Sequence, residues 1–145
     1  MNLSKDEIKY CNLARSFLNE SYECLLIKNI LDESYSQKLA NILEVEHFMY
    51  TKEFEIICGA SLVTVELARI KLKQNIKSLE ILLEKEAIDF LYECLTKQVR
   101  AFKNKRTTRK KIKASLYTEE FKRTCKMANF SHSEVIEVFK EYGLI

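Results

Sequence analysis

The sequence has no proline, no tryptophan and only two glycines among its 145 residues. β-Sandwiches and β-barrels usually turn their corners with glycine, proline and Asn-Gly pairs, so this composition disfavours an all-β fold. The apolar content of 47% is typical of a soluble globular chain, and the length suits one core. We therefore predict an all-α, single-domain bundle of about five or six helices over residues 1–145.

Histidine is also scarce, which excludes most catalytic and metal sites. His47 and His132 are the only two, too few for a His-rich metal site or an obvious triad. Glu44 and His47 have the Glu-x-x-His spacing of di-iron bundles, but the second copy that such sites need is missing. Two glycines cannot make a Gly-rich phosphate loop. We predict no enzymatic activity, no cofactor and no small-molecule substrate.

The cysteines are odd in number, far apart and in no CxxC pair: Cys11, Cys24, Cys58, Cys94 and Cys125. This pattern disfavours a disulfide framework and indicates a reducing compartment, with thiols that pack as small apolar groups and bind no metal. No signal peptide is evident, and the longest uncharged run, residues 56–65, is about half of a membrane span. The predicted location is cytoplasmic or nuclear.

Capping signals place the first two helices. Ser4 and Glu7 have capping-box spacing before an apolar stripe, which predicts a helix over about residues 5–31. Asp32 or Ser34 caps a second helix that ends near Tyr50, and Ser34 with Gln37 repeats the capping-box spacing.

Residues 51–72 are ambiguous, because their β-branched side chains also fit a short hairpin. We favour a helix capped by Thr51, with an inner face made by Ile56, Ala60, Val63, Leu67 and Ile70. From Ser78 onward an unbroken stripe predicts a helix of about 25 residues.

The C-terminal part, about residues 118–143, is predicted to be a helical hairpin. Thr118 caps its first helix, Ser131 with Glu134 begins its second, and Gly143 takes the left-handed position after it. The short connection matches a helix-turn-helix. Carboxylates on the second helix would repel DNA phosphates, however, so we favour a plain αα-hairpin over a helix that reads the major groove.

Residues 97–126 hold twelve of the 24 lysines and arginines and two of the 21 acids, a net charge of +10 against +3 for the whole chain. We call residues 97–126 the basic stretch. Its central part, about residues 103–115, has only Ile112 to offer a core, which predicts an exposed linker or a solvated helical extension. A charge asymmetry of this size predicts an anionic partner.

The main prediction is an accessory subunit that binds nucleic acid, DNA or RNA, through its backbone phosphates. The predicted contact residues are Lys97, Arg100, Lys103, Lys105, Arg106, Arg109, Lys110, Lys111, Lys113, Lys122 and Arg123. The alternative is a protein–protein interaction module in which a groove between amphipathic helices receives a partner helix. The basic stretch would then be a solvated or targeting segment.

Overall fold

The computed structural model describes residues 4–6, 8 and 34–145, and within these residues the chain forms seven α-helices and no strand. The all-α prediction is confirmed. The helices are α1 (Tyr35–Phe48), α2 (Lys52–Ala60), α3 (Val65–Leu82), α4 (Glu84–Lys103), α5 (Arg109–Leu116), α6 (Glu119–Met127) and α7 (His132–Glu141).

The predicted first helix lies almost wholly outside the described residues, as do Cys11 and Cys24. Its first turn is described in part, and there the Ile8 N–H donates to the Ser4 carbonyl oxygen at 3.0 Å, as in an α-helix. The predicted helix count is slightly low for two reasons: residues 52–103 form three helices instead of two, and α5 lies inside the predicted basic connection.

The chain divides into two compact units, Met1–Leu79 and Glu80–Ile145. The boundary falls in the last turn of α3. The single domain over residues 1–145 stays a prediction. Across the part of the chain that the structure describes, no helix is both long enough and apolar enough to span a membrane.

In the first unit, α1 begins and ends as its capping residues predict. The Ser34 hydroxyl accepts from the Gln37 N–H at 3.3 Å. At the other end the Arg69 Nε–H donates to the Met49 carbonyl oxygen at 2.8 Å, which satisfies one of the acceptors that a helix end leaves open. Leu39 and Ile42 are buried on the inner face.

Helix α2 confirms Thr51 as an N-cap, since its hydroxyl accepts from the Phe54 N–H at 3.2 Å. The helix is short, however, because the chain takes a left-handed conformation at Leu62, where φ is +57°. Phe54 and Cys58 face the core, while Ile56 is exposed. The hairpin alternative is wrong, and so is the predicted inner face.

Helix α3 shows why that face was misassigned. The apolar spacing from residue 56 to residue 70 crosses the turn at residues 61–64, so it belongs to two helices with independent orientations. Ala68, Leu72 and Ile76 are buried in α3, while Leu67 and Ile70 are exposed.

The helix predicted from Ser78 begins later. Ser78 lies inside α3, where its hydroxyl donates to the Gln74 carbonyl oxygen at 3.1 Å and caps nothing. The helical path breaks at Leu83, which is buried, and α4 begins at Glu84.

The second unit is built around α6, which packs against α4, α5 and α7. Its N-cap is Thr118, as predicted: the hydroxyl accepts from the Phe121 N–H at 3.2 Å. A shared core forms from the inward residues of the four helices and the C-terminal turn: Ala87, Leu91, Ile112, Leu116, Phe121, Cys125, Met127, Val135, Ile136, Phe139 and Leu144.

The end of α7 is also as predicted. Gly143 has φ +73°. The Leu144 N–H donates to the Phe139 carbonyl oxygen at 3.1 Å, which is the six-to-one hydrogen bond of a Schellman motif. Lys105 and Asn129 take the same left-handed position after α4 and α6, with φ values of +56° and +60°. The cost of that conformation is larger for a residue with a Cβ.

Candidate functional site

An open groove of about 320 Å³ lies between α4 and α7 in the second unit. Eight of its nine lining residues are aliphatic or aromatic: Leu91, Tyr92, Leu95, Phe130, Val135, Val138, Phe139 and Tyr142, with Glu134 the ninth. Leu91, Val135 and Phe139 are buried and belong to the core as well. We call this feature the α4–α7 groove.

The rim of the α4–α7 groove leaves much apolar surface in contact with water. The exposed fractions are 64% for Tyr92, 60% for Tyr142, 39% for Phe130 and 38% for Val138. Single exposed apolar residues are common on monomers, but a contiguous apolar concavity marks an interaction surface.

The exposed rim exists because the apolar face of α7 is two stripes wide. Val135 and Phe139 point inward at a spacing of four, and Val138 and Tyr142 repeat that spacing on an adjacent stripe. The core of the described unit uses the first stripe, whereas the second remains on the surface.

The charges on the two helices beside the α4–α7 groove are unevenly distributed. Residues 84–93 of α4 have a net charge of −3, but the whole of α4 has four acids and four basic residues and is neutral; α7 includes three glutamates and one lysine, a net charge of −2. Glu134 is the one charged residue in the lining. The one lysine of α7, Lys140, is 3.4 Å from Glu137.

The predicted phosphate-contacting residues lie elsewhere in the same unit, on the last turns of α4, in the connection after it, on α5 and on α6. All but one are exposed: Lys97, Arg100, Lys103, Lys105, Arg106, Arg109, Lys110, Lys111, Lys113 and Lys122. Arg109 also has internal contacts, because its Nε–H donates to the Gly143 carbonyl oxygen at 3.1 Å and its guanidinium lies 5.1 Å from the Phe102 ring centroid.

Arg123 is the exception. Its Nη2 and Nε lie 2.6 and 3.1 Å from Oε1 of Glu80, and 17% and 15% of the two side chains are exposed. A nearby hydrogen bond connects the turn after α6 to the first residue of α4: the Asn129 amide donates to Oε1 of Glu84 at 2.9 Å. Arg123 is thus a structural residue that holds α6 to the end of α3.

His132, at the start of α7, is half-buried. Its Nε2–H donates to the Leu116 carbonyl oxygen at 2.6 Å, and its ring packs edge-on against Tyr117 and Phe121. It therefore fastens the start of α7 to the end of α5.

A smaller cavity of about 190 Å³ lies among α4, α5 and α6, and Cys94 is part of its lining. Burial raises the pKa of the Cys94 and Cys58 thiols, and it raises the pKa of Cys125 to about 11. These thiols are therefore protonated and unreactive near neutral pH. In the described part of the chain, no three His, Cys, Asp or Glu side chains are grouped as metal ligands would be.

Comparison with known families decides between the two predicted functions. Residues 20–135, most of the chain, match the family described as the DnaG-primase C-terminal, helicase-binding domain. The chain belongs to this family. No curated protein and no solved structure matches it.

The description of the DnaG-primase helicase-binding domain gives a protein as the partner. The main prediction of a DNA- or RNA-binding subunit is therefore wrong, and the alternative of a protein-interaction module is the better supported one. The error has a physical source. A dense block of lysines and arginines predicts an anionic partner, but the same side chains also simply solvate a surface.

For this helicase-binding-domain chain, the sequence predicted a groove between amphipathic helices only in outline and named no residues for it. The stripe from Ser78 and the C-terminal hairpin were predicted as separate elements, so α4 and α7 were not identified as its two walls. A signal was present: five of the eight residues from Val135 to Tyr142 are apolar, more than one buried stripe needs.

Proposed function

We propose that this chain binds the helicase that its family description names, as a non-catalytic interaction module. The observation that carries the proposal is the family match over residues 20–135. The match includes all of α4 and extends to the first turn of α7, so it covers one wall of the α4–α7 groove and the start of the other.

The chemistry of the α4–α7 groove supports this role. Its lining has one carboxylate and no paired acid and base, so it is suited to recognising a surface and not to breaking bonds. Its apolar floor and partly exposed aromatic rim have the composition of interface hot spots. A helicase works on DNA inside the cell, which agrees with the reducing compartment that the cysteine spacing predicts.

The test is calorimetric titration of the full chain with the helicase encoded in the same genome. We expect saturable binding with a negative heat-capacity change, because apolar surface is buried. An unrelated ATPase of similar size is the matched control and should give no binding heat. Absence of saturable binding to the helicase would overturn the proposal.

A further inference from the structure

The volume and the helical sides of the α4–α7 groove indicate which kind of partner segment fits it. Its volume of about 320 Å³ is at the low end of the roughly 300–1,000 Å³ of ligand pockets, and its sides are two helices. A groove of this size accepts a few side chains and not a whole folded surface. Helix-in-groove recognition has this geometry, with apolar anchors three or four residues apart on the guest helix.

The charge of the walls selects among possible guests. Glu134 in the lining and the net charge of −2 on α7 disfavour an acidic segment and favour a basic one. Glu134 lies in the lining itself, and most of its neighbours there are apolar. A cation next to it would be partly shielded from water, and the attraction would gain strength.

We propose that the α4–α7 groove receives an amphipathic helix of the helicase, with apolar side chains on the groove floor and a lysine or arginine at Glu134. This inference rests on the proposed function. It adds the site and the chemical character of the bound segment.

The first test removes an apolar anchor. Tyr142→Ala takes away a rim side chain that is 60% exposed, so the fold should tolerate it. We expect its affinity for the helicase to fall about tenfold or more, as for an interface hot spot. Tyr50→Ala is the matched control, since Tyr50 is 58% exposed and lies in the first unit. It should bind within about twofold of the parent.

The second test reverses a charge. Glu134→Lys should weaken binding about tenfold or more, whereas Glu137→Lys, the same change on the same helix outside the groove lining, should weaken it about threefold at most. Glu134 is in the first turn of α7, where a carboxylate favours the helix dipole. Thermal unfolding is therefore measured for each variant, and Glu134→Gln replaces the lysine variant if that one unfolds.

The possible outcomes distinguish failure of the groove proposal from failure of the proposed function. If the parent does not bind the helicase, the proposed function fails and this inference with it. If the parent binds while Tyr142→Ala and Glu134→Lys bind equally well, the function stands and the groove is the wrong site. Equal weakening by Glu134→Lys and Glu137→Lys would show that no lysine or arginine of the helicase binds specifically at Glu134. Sedimentation of the chain alone, showing a dimer that Tyr142→Ala dissociates, would identify a second copy as the occupant and overturn the inference.

Discussion

Helices α5 and α7 pack against the same helix, α6, yet present opposite surfaces to water. Each begins at a hydroxyl N-cap, Thr108 for α5 and Ser131 for α7. The outward side of α5 is basic, with Lys110, Lys111 and Lys113 exposed. The outward side of α7 is apolar and acidic and forms one wall of the α4–α7 groove.

This contrast between α5 and α7 indicates which kind of surface, basic or apolar, is evidence for a binding partner. Exposed lysines are fully satisfied by water, so a basic helix face is compatible with any function or none. An exposed apolar concavity is unfavourable in water and therefore indicates something that covers it. Charge is visible in the sequence, whereas a concavity exists only once two helices have packed.

The largest effect should come from Ile112, the one inward residue predicted for residues 103–115, the central part of the basic stretch. Ile112→Ala should lower the free energy of unfolding by about 2–5 kcal/mol, because Ile112 is fully buried and its removal leaves a cavity. Urea denaturation followed by circular dichroism measures the change.

The Lys110→Ala, Lys111→Ala double variant is the control for this comparison. Both lysines are exposed on α5, so their loss should change stability by about 0.5 kcal/mol or less. A large destabilisation by the double variant, or a small one by Ile112→Ala, would show that α5 is held by its charged face and not by its apolar one.

A smaller effect is expected at Arg123, which forms a part-buried ion pair with Glu80. Arg123→Ala leaves the Glu80 carboxylate without its fork of donors and should cost about 1–3 kcal/mol of unfolding free energy. Arg123→Lys should recover part of the loss, since lysine supplies charge without the fork.

Lys122→Ala is the neighbouring control for Arg123. Its ammonium lies 5.9 Å from the Tyr117 ring centroid at an exposed site, so its removal should cost about 0.5 kcal/mol. Equal losses for Lys122→Ala and Arg123→Ala would mean that the Glu80 ion pair contributes no more than a surface contact.

The helix starts were predictable because capping is a local interaction. A hydroxyl followed by helical apolar spacing identified Ser34, Thr51, Thr118 and Ser131, and the structure shows the expected bond at each. The start predicted at Ser78 was wrong, because that serine lies inside α3. The same pattern at Thr108 was overlooked, because the basic residues after it concealed the helical spacing of Ile112 and Leu116.

The helix ends and the α4–α7 groove were harder to predict. The breaks at Leu62 and Leu83 have no glycine or proline to mark them, so the apolar stripe was read through both. The groove depends on which of two adjacent stripes of α7 the core uses, and the packing of α6 against α4 and α7 decides that. Single-sequence patterns give periodicity but not the partner of each stripe.

The smallest effect concerns two helix ends of the same geometry, Lys105 after α4 and Gly143 after α7. At φ near +60° a Cβ costs roughly 1–2 kcal/mol, while glycine loses about 0.4–1 kcal/mol more in unfolded-state entropy. Lys105→Gly should thus stabilise by about 0.5–1 kcal/mol and Gly143→Ala destabilise by a similar amount. No atom lies within 4 Å of a Cβ built at Gly143, so backbone strain alone sets that loss. Lys105→Ala, which removes the charge but keeps the Cβ, should leave stability nearly unchanged. Shifts of the same sign in Lys105→Gly and Gly143→Ala, measured by thermal unfolding, would refute a common backbone origin.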